Sequence, residues 1–134
     1  MTNNLQCWCL MVVSLGLMAV SVIAAEHTQD SLKTVKQKIE EKKAVLVDVR
    51  EKSETDKGHI AGAILLPISE LQNGIDAKAL EKKLSKDKII YTHCVVGKRS
   101  LTAAEILQKS GYKVRALKAG YKELLEAGFK KAEK

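Results

Sequence analysis

Cys94, in the run Cys94-Val95-Val96-Gly97-Lys98-Arg99-Ser100, has the surroundings in this 134-residue chain that best support chemistry. It follows Lys88-Ile89-Ile90-Tyr91-Thr92-His93, which reads as a strand, and precedes a stretch with Leu101, Ala104 and Leu107 at helical spacing. A thiol between a strand end and a helix start meets backbone N–H groups and the positive end of the helix dipole, both of which favour thiolate over thiol. Gly97 lets such a loop curl, and Lys98 and Arg99 put positive charge at its rim. The same cradle would hold the added negative charge of a sulfur atom carried on the thiolate. An inert structural cysteine is the plain alternative, but the coincidence of strand end, helix start, glycine and cations argues for a reactive one. Val95 and Val96 bring neither hydroxyl nor carboxylate to the loop tip.

Loop length narrows the chemistry. Cysteine-dependent phosphatases and arsenate reductases enclose a tetrahedral oxyanion in a C-x5-R loop, whereas here the arginine stands one residue earlier, as C-x4-R. His27, His59 and His93 form no ligand spacing with one another or with Cys94, so neither a metal nor another cofactor is expected. His93 should point away from the cysteine by strand alternation and receives no role.

The elements needed to position the loop alternate along the chain. Asp30 or Ser31 can cap a helix with Leu32, Val35 and Ile39 on one stripe. Residues 44–49 form a short apolar run of the kind found in strands buried on both faces, and 63–66 form another, stopped by Pro67. The polar stretch 50–58 reads as a loop. Asp76 can cap a short helix through Leu80 and Leu84, Gly111 can end the helix after Cys94, 112–117 reads as a last strand, and 121–127 as a last helix. Strands alternating with helices imply a mostly parallel sheet between helical layers, an α/β three-layer sandwich. Cys94 would lie at the carboxyl edge of that sheet, where open α/β folds place their sites.

The sequence resembles the rhodanese family over residues 44–129. The resemblance is carried by Asp-Val-Arg-Glu at 48–51, Gly-His-Ile-Ala-Gly-Ala-Ile-Leu-Leu-Pro at 58–67, the Cys94 loop, and Leu-Lys-Ala-Gly-Tyr-Lys-Glu-Leu-Leu-Glu-Ala-Gly-Phe at 117–129. It implies a sheet of about five strands, a domain over residues 31–130, and a double-displacement cycle. In that cycle Cys94 takes sulfur from a small anionic donor such as thiosulfate and passes it to a thiophilic acceptor, either a small molecule or a protein thiol. Residues 95–100, Val95, Val96, Gly97, Lys98, Arg99 and Ser100, would bind the donor; Asp48, Arg50 and His59 would support the site. Ala61 replaces a proline of the family pattern, and Ala119 replaces the first glycine of a pair completed by Gly120. A non-catalytic binding or sulfur-carrier module on the same fold is the alternative; phosphatase or arsenate reductase chemistry stands behind both.

The first 25 residues carry no Lys, Arg, Asp or Glu and end in Ala24-Ala25, the pattern of a secretory signal peptide despite the absence of a basic start. Cleavage there would remove Cys7 and Cys9, leave Cys94 alone, and yield a periplasmic or secreted protein; an uncleaved leader would anchor it to a membrane. The net charge of +7 is dispersed among few aromatics, so a solvated surface that attracts small anions is expected rather than a nucleic-acid face. The protein is expected to be a monomer.

Overall fold

The computed structural model describes residues 24–134, so most of the proposed leader, with Cys7 and Cys9, lies outside the described residues. Four strands form one parallel sheet in the order β2-β1-β3-β4: β1 (Ala44–Asp48), β2 (Ile64–Leu65), β3 (Ile89–His93) and β4 (Lys113–Ala116). The helices are α1 (Leu32–Glu40), α2 (Lys52–Thr55), α3 (Ile68–Gln72), α4 (Ala77–Lys83), α5 (Lys98–Lys109) and α6 (Tyr121–Glu126).

Strand alternation divides the core into two layers. Val47, Ile90, Val114 and Ala116 face one way and pack with Leu71 of α3, Leu80 of α4, and Ala103, Ala104 and Leu107 of α5. Ala44, Leu46 and Tyr91 face the other way and pack with Val35 of α1 and Leu124 of α6. The result is the expected α/β sandwich. The strand count differs slightly: at the outer edge of β4 a fifth position is filled by one parallel bridge, His27 with Ala116, rather than by a full strand. Caps fall where short polar side chains precede apolar stripes. The Ser31 hydroxyl accepts from Thr34 N–H at 3.1 Å, and Asp76 accepts from Lys78 and Ala79 N–H.

The polar stretch read as a loop holds α2. The Glu54 carboxylate accepts from Glu51 N–H at 2.9 Å, while Glu51 accepts from the Ser69 hydroxyl at 2.8 Å, so side-chain hydrogen bonds rather than an apolar stripe define this short helix. No helix among the described residues is long and apolar enough to cross a membrane.

Candidate active site

Parallel register places Asp48 beside His93 at the carboxyl edge, and the next residue of that chain is Cys94. Three elements frame the cysteine. The loop of residues 94–97 turns directly into α5, and Gly97, with φ +87, stands as its N-cap in a left-handed conformation suited to glycine. Gly97 N–H points back at Cys94 Sγ, 3.1 Å away, and the thiol side chain is 1% exposed. On the far side, Tyr121 N–H at the start of α6 donates to the Cys94 carbonyl at 3.0 Å.

Gly120 explains why the loop fits. Its φ of −95 is ordinary backbone that any residue adopts, but a Cβ there would lie 1.9 Å from the Val95 carbonyl oxygen. The backbone of the cysteine loop therefore rests directly on Gly120. Ala119, at the other half of the glycine pair, is accommodated with partial burial. The α5 side of the loop is held by Ser100, whose fully buried Oγ lies 2.7 Å from the Gly97 carbonyl and 2.8 Å from the Leu117 carbonyl.

The sequence-proposed residues separate into three groups. Val95 and Val96 are exposed at the tip, 46% and 75%, with Lys98 exposed beside them. Arg99 leaves the loop and forms a two-pronged pair with Glu54 of α2, at 2.6 and 2.9 Å. Its charge is thus matched by a carboxylate, and the cationic rim expected from Lys98 and Arg99 is reduced at Arg99. The guanidinium in turn holds the Glu54 carboxyl down to about 2. Because this folded value lies below the ordinary 4.5, the pair contributes stability above about pH 4.5 and loses it as pH falls towards 2. Comparing unfolding free energies of wild type and Glu54→Gln should show a gap below about 1 kcal/mol near neutrality that closes in acid; a gap that widens in acid would contradict the assignment.

Asp48 and Arg50 form the second group. Asp48 is fully buried, Arg50 is 5% exposed, and Arg50 Nε and Nη2 donate to the carboxylate at 3.0 and 2.7 Å. Nη2 also donates to the Gly58 carbonyl at 2.9 Å, and the guanidinium stacks 4.2 Å from the centroid of Tyr121. Since Tyr121 N–H holds the Cys94 carbonyl, this pair braces the site from beneath. Arg50→Ala would strand a buried carboxylate, and the expected cost is about 3–5 kcal/mol in denaturant unfolding. A loss below about 1 kcal/mol would show that the pair does not carry this load.

His59 is the third case: half-buried, with Nδ1 3.4 Å from the Thr55 carbonyl, it belongs to the turn that follows α2. Two further histidines stand at the site that sequence reasoning did not assign. His93 is fully buried with Nε2 3.5 Å from Asp48 Oδ2. Burial lowers its pKa, against the opposing pull of Asp48, which leaves the imidazole neutral at pH 7. Parallel pairing of β1 and β3 was the signal that could have found it. His27 Nε2 lies 2.8 Å from the Gly97 carbonyl. No cluster of potential metal ligands occurs among the described residues.

A parallel α/β sandwich with a cysteine at a strand's carboxyl end, held in a glycine-containing loop that starts a helix, defines a class of cysteine-loop proteins. Within it, the chain belongs to the rhodanese-like domain family, whose model matches residues 31–127. Thiosulfate:glutathione sulfurtransferase of Homo sapiens is 32% identical over 93 residues, covering 63% of this chain and 81% of the relative. Two Bacillus subtilis (strain 168) proteins also match. YqhL is 39% identical, with 61% of each chain covered, and the putative sulfur carrier protein YrkF is 33% identical, with 67% of this chain and 46% of the relative covered. The chain thus spans about three fifths of YqhL and under half of YrkF. Among solved structures, a rhodanese-related protein from Thermoplasma volcanium superposes with a TM-score of 0.62 at 28% identity, covering 82% of this chain and 98% of that one. Family membership and relatives named as sulfurtransferases and a sulfur carrier support sulfur transfer in general.

Proposed function

We propose that this protein is a sulfurtransferase that carries sulfane sulfur as a persulfide on Cys94. The observation that carries the reading is the Gly97 N–H aimed at Cys94 Sγ, 3.1 Å away, at the N-cap of the 12-residue helix α5. An N–H donor and a helix start stabilise negative charge on sulfur, whether on the thiolate or on the outer atom of a persulfide. In the first half-reaction the thiolate attacks the outer sulfur of a donor such as thiosulfate. A Cys94 S–S bond forms, the donor's S–S bond breaks, and its electron pair leaves with sulfite. In the second, a thiophilic acceptor such as cyanide or a thiolate takes the outer sulfur, and Cys94 returns as thiolate. No general base is needed once the thiolate exists.

Donor binding is assigned to the loop of residues 95–100, with Lys98 supplying exposed charge and Val95 and Val96 an apolar tip. Asp48 and Arg50 act as braces, and His59 acts through the turn that holds it. The short C-x4-R loop separates this reading from oxyanion chemistry. Thiosulfate and a generic aryl phosphate, assayed side by side, should show turnover of the first alone; dominant phosphate hydrolysis would overturn the proposal.

One observation favours a second reading, a rhodanese-fold module that binds or carries without turnover: Cys94 is 1% exposed. Resistance of the folded protein to alkylation would support that module. The apolar, uncharged stretch ending at Ala25 supports the further proposal that the working protein lies outside the cytoplasm, periplasmic or secreted after cleavage and membrane-anchored without it. N-terminal sequencing of exported protein should begin close to Glu26; membrane-bound protein that retains Met1 would favour the anchor.

A further inference from the structure

The family match begins at residue 31, yet the segment before it is built into the sheet and reaches the cysteine loop. Thr28 N–H donates to the Ala116 carbonyl at 2.8 Å, and Asp30 accepts from the Tyr91 hydroxyl and from Arg115 Nη1. Held by these bonds and by its own bridge to Ala116, His27 presents Nε2 to the Gly97 carbonyl at 2.8 Å. A carbonyl only accepts, so Nε2 carries the proton in this contact.

Gly97 is also the residue whose N–H faces Cys94 Sγ. Lacking a Cβ, it is the freest residue of the loop, and its orientation depends on what holds its two polar groups. Ser100, inside the matched domain, holds the carbonyl from α5; His27, outside it, holds the same carbonyl from the opposite chain end. The imidazole also fills the space beside the glycine, since a Cβ on Gly97 would meet His27 Nε2 at 2.8 Å.

We propose that His27 is a positioning residue for sulfur transfer: by donating to the Gly97 carbonyl it keeps the Gly97 N–H on Cys94 Sγ. The inference rests on the sulfur-transfer reading above. The hydrogen bond of His27 goes to the Gly97 carbonyl and not to the sulfur, so its loss acts on the rate of persulfide formation and not on donor capture.

The test uses the protein beginning at Glu26 as wild type, His27→Ala and His27→Gln, with single-turnover persulfide formation measured across thiosulfate concentrations and hydrogen exchange measured at the Gly97 amide. His27→Ala should lower the limiting rate about fivefold, the scale of one hydrogen bond, leave the half-saturating thiosulfate concentration in place, and speed Gly97 exchange. His27→Gln, whose side-chain amide can donate to the same carbonyl, should recover the rate to within about twofold. A wild-type rate and wild-type exchange in His27→Ala would overturn the proposal, as would a change confined to half-saturation or a slow rate shared equally by both variants. Absence of persulfide in wild type would instead remove the sulfur-transfer reading itself, while the exchange comparison would still report whether His27 holds the loop.

Discussion

Cys94→Ser is expected to abolish sulfur transfer while leaving the domain folded. The serine hydroxyl occupies nearly the same space as the thiol and can still accept from Gly97 N–H, which in the wild type lies 3.1 Å from sulfur. Packing should therefore change little, and the unfolding midpoint should stay within a few degrees, the range of a substitution that costs about 1 kcal/mol or less. Chemistry changes completely. A serine hydroxyl is not appreciably ionised without a base, the hydrogen-bond partner of this side chain among the described residues is the Gly97 N–H donor, and oxygen does not form the persulfide through which the cycle runs. Thiocyanate formation from thiosulfate and cyanide should fall to the uncatalysed background. Retention of wild-type turnover would show that the sulfur travels by a route that bypasses Cys94.

Gly120→Ala should be nearly as damaging, through geometry alone. The added methyl would lie 1.9 Å from the Val95 carbonyl oxygen and 2.6 Å from its carbon, both backbone atoms. No rotamer relieves that overlap, so the loop or the start of α6 must shift by about 1 Å or more, at a cost of about 1–3 kcal/mol in stability. The Tyr121 N–H bond to the Cys94 carbonyl lies one residue from the collision and would be displaced with it. A displacement of about 1 Å at reacting groups costs roughly 10²-fold in rate, and that is the expected loss of sulfur transfer. Ala119→Gly, one residue away, should leave the rate within about twofold, because that side chain is accommodated in the fold. Comparable rates for Gly120→Ala and wild type would mean that the loop does not depend on its contact with α6.

The contrast between residues 119 and 120 illustrates what could be read along the chain. The strand, cysteine, glycine and helix start are consecutive, so local pattern sufficed to place Cys94 at a carboxyl edge. The layer assignment was legible for the same reason, because apolar runs such as 44–49 and helical stripes such as Val35 with Ile39 are local signals. Contacts between distant residues were not. Arg99 reads as a free rim cation until α2 brings Glu54 to it across 45 positions. His27 acts across 70 positions, from a stretch that forms a single bridge and so carries no strand pattern. His93 carries no sequence signal of a partner, but the pairing of β1 with β3 brings its Nε2 to 3.5 Å from Asp48 Oδ2, with Nδ1 3.4 Å from the Cys94 carbonyl. The helix α2 escaped because its four residues bury only Thr55, leaving no apolar period to detect.

These placements converge on a cysteine whose loop is held from three sides: by Gly120 and Tyr121 beneath, by Ser100 from α5, and by His27 at the sheet edge. Each contact fixes backbone rather than touching sulfur. Reactivity thus lies in one atom and the control of that reactivity in its supports. Intact-mass measurement of the folded protein after incubation with thiosulfate tests this most directly. Wild type should gain one sulfur atom and lose it on adding cyanide with release of thiocyanate, and Cys94→Ser should gain none. An unchanged mass on wild type, or the same gain on Cys94→Ser, would contradict it.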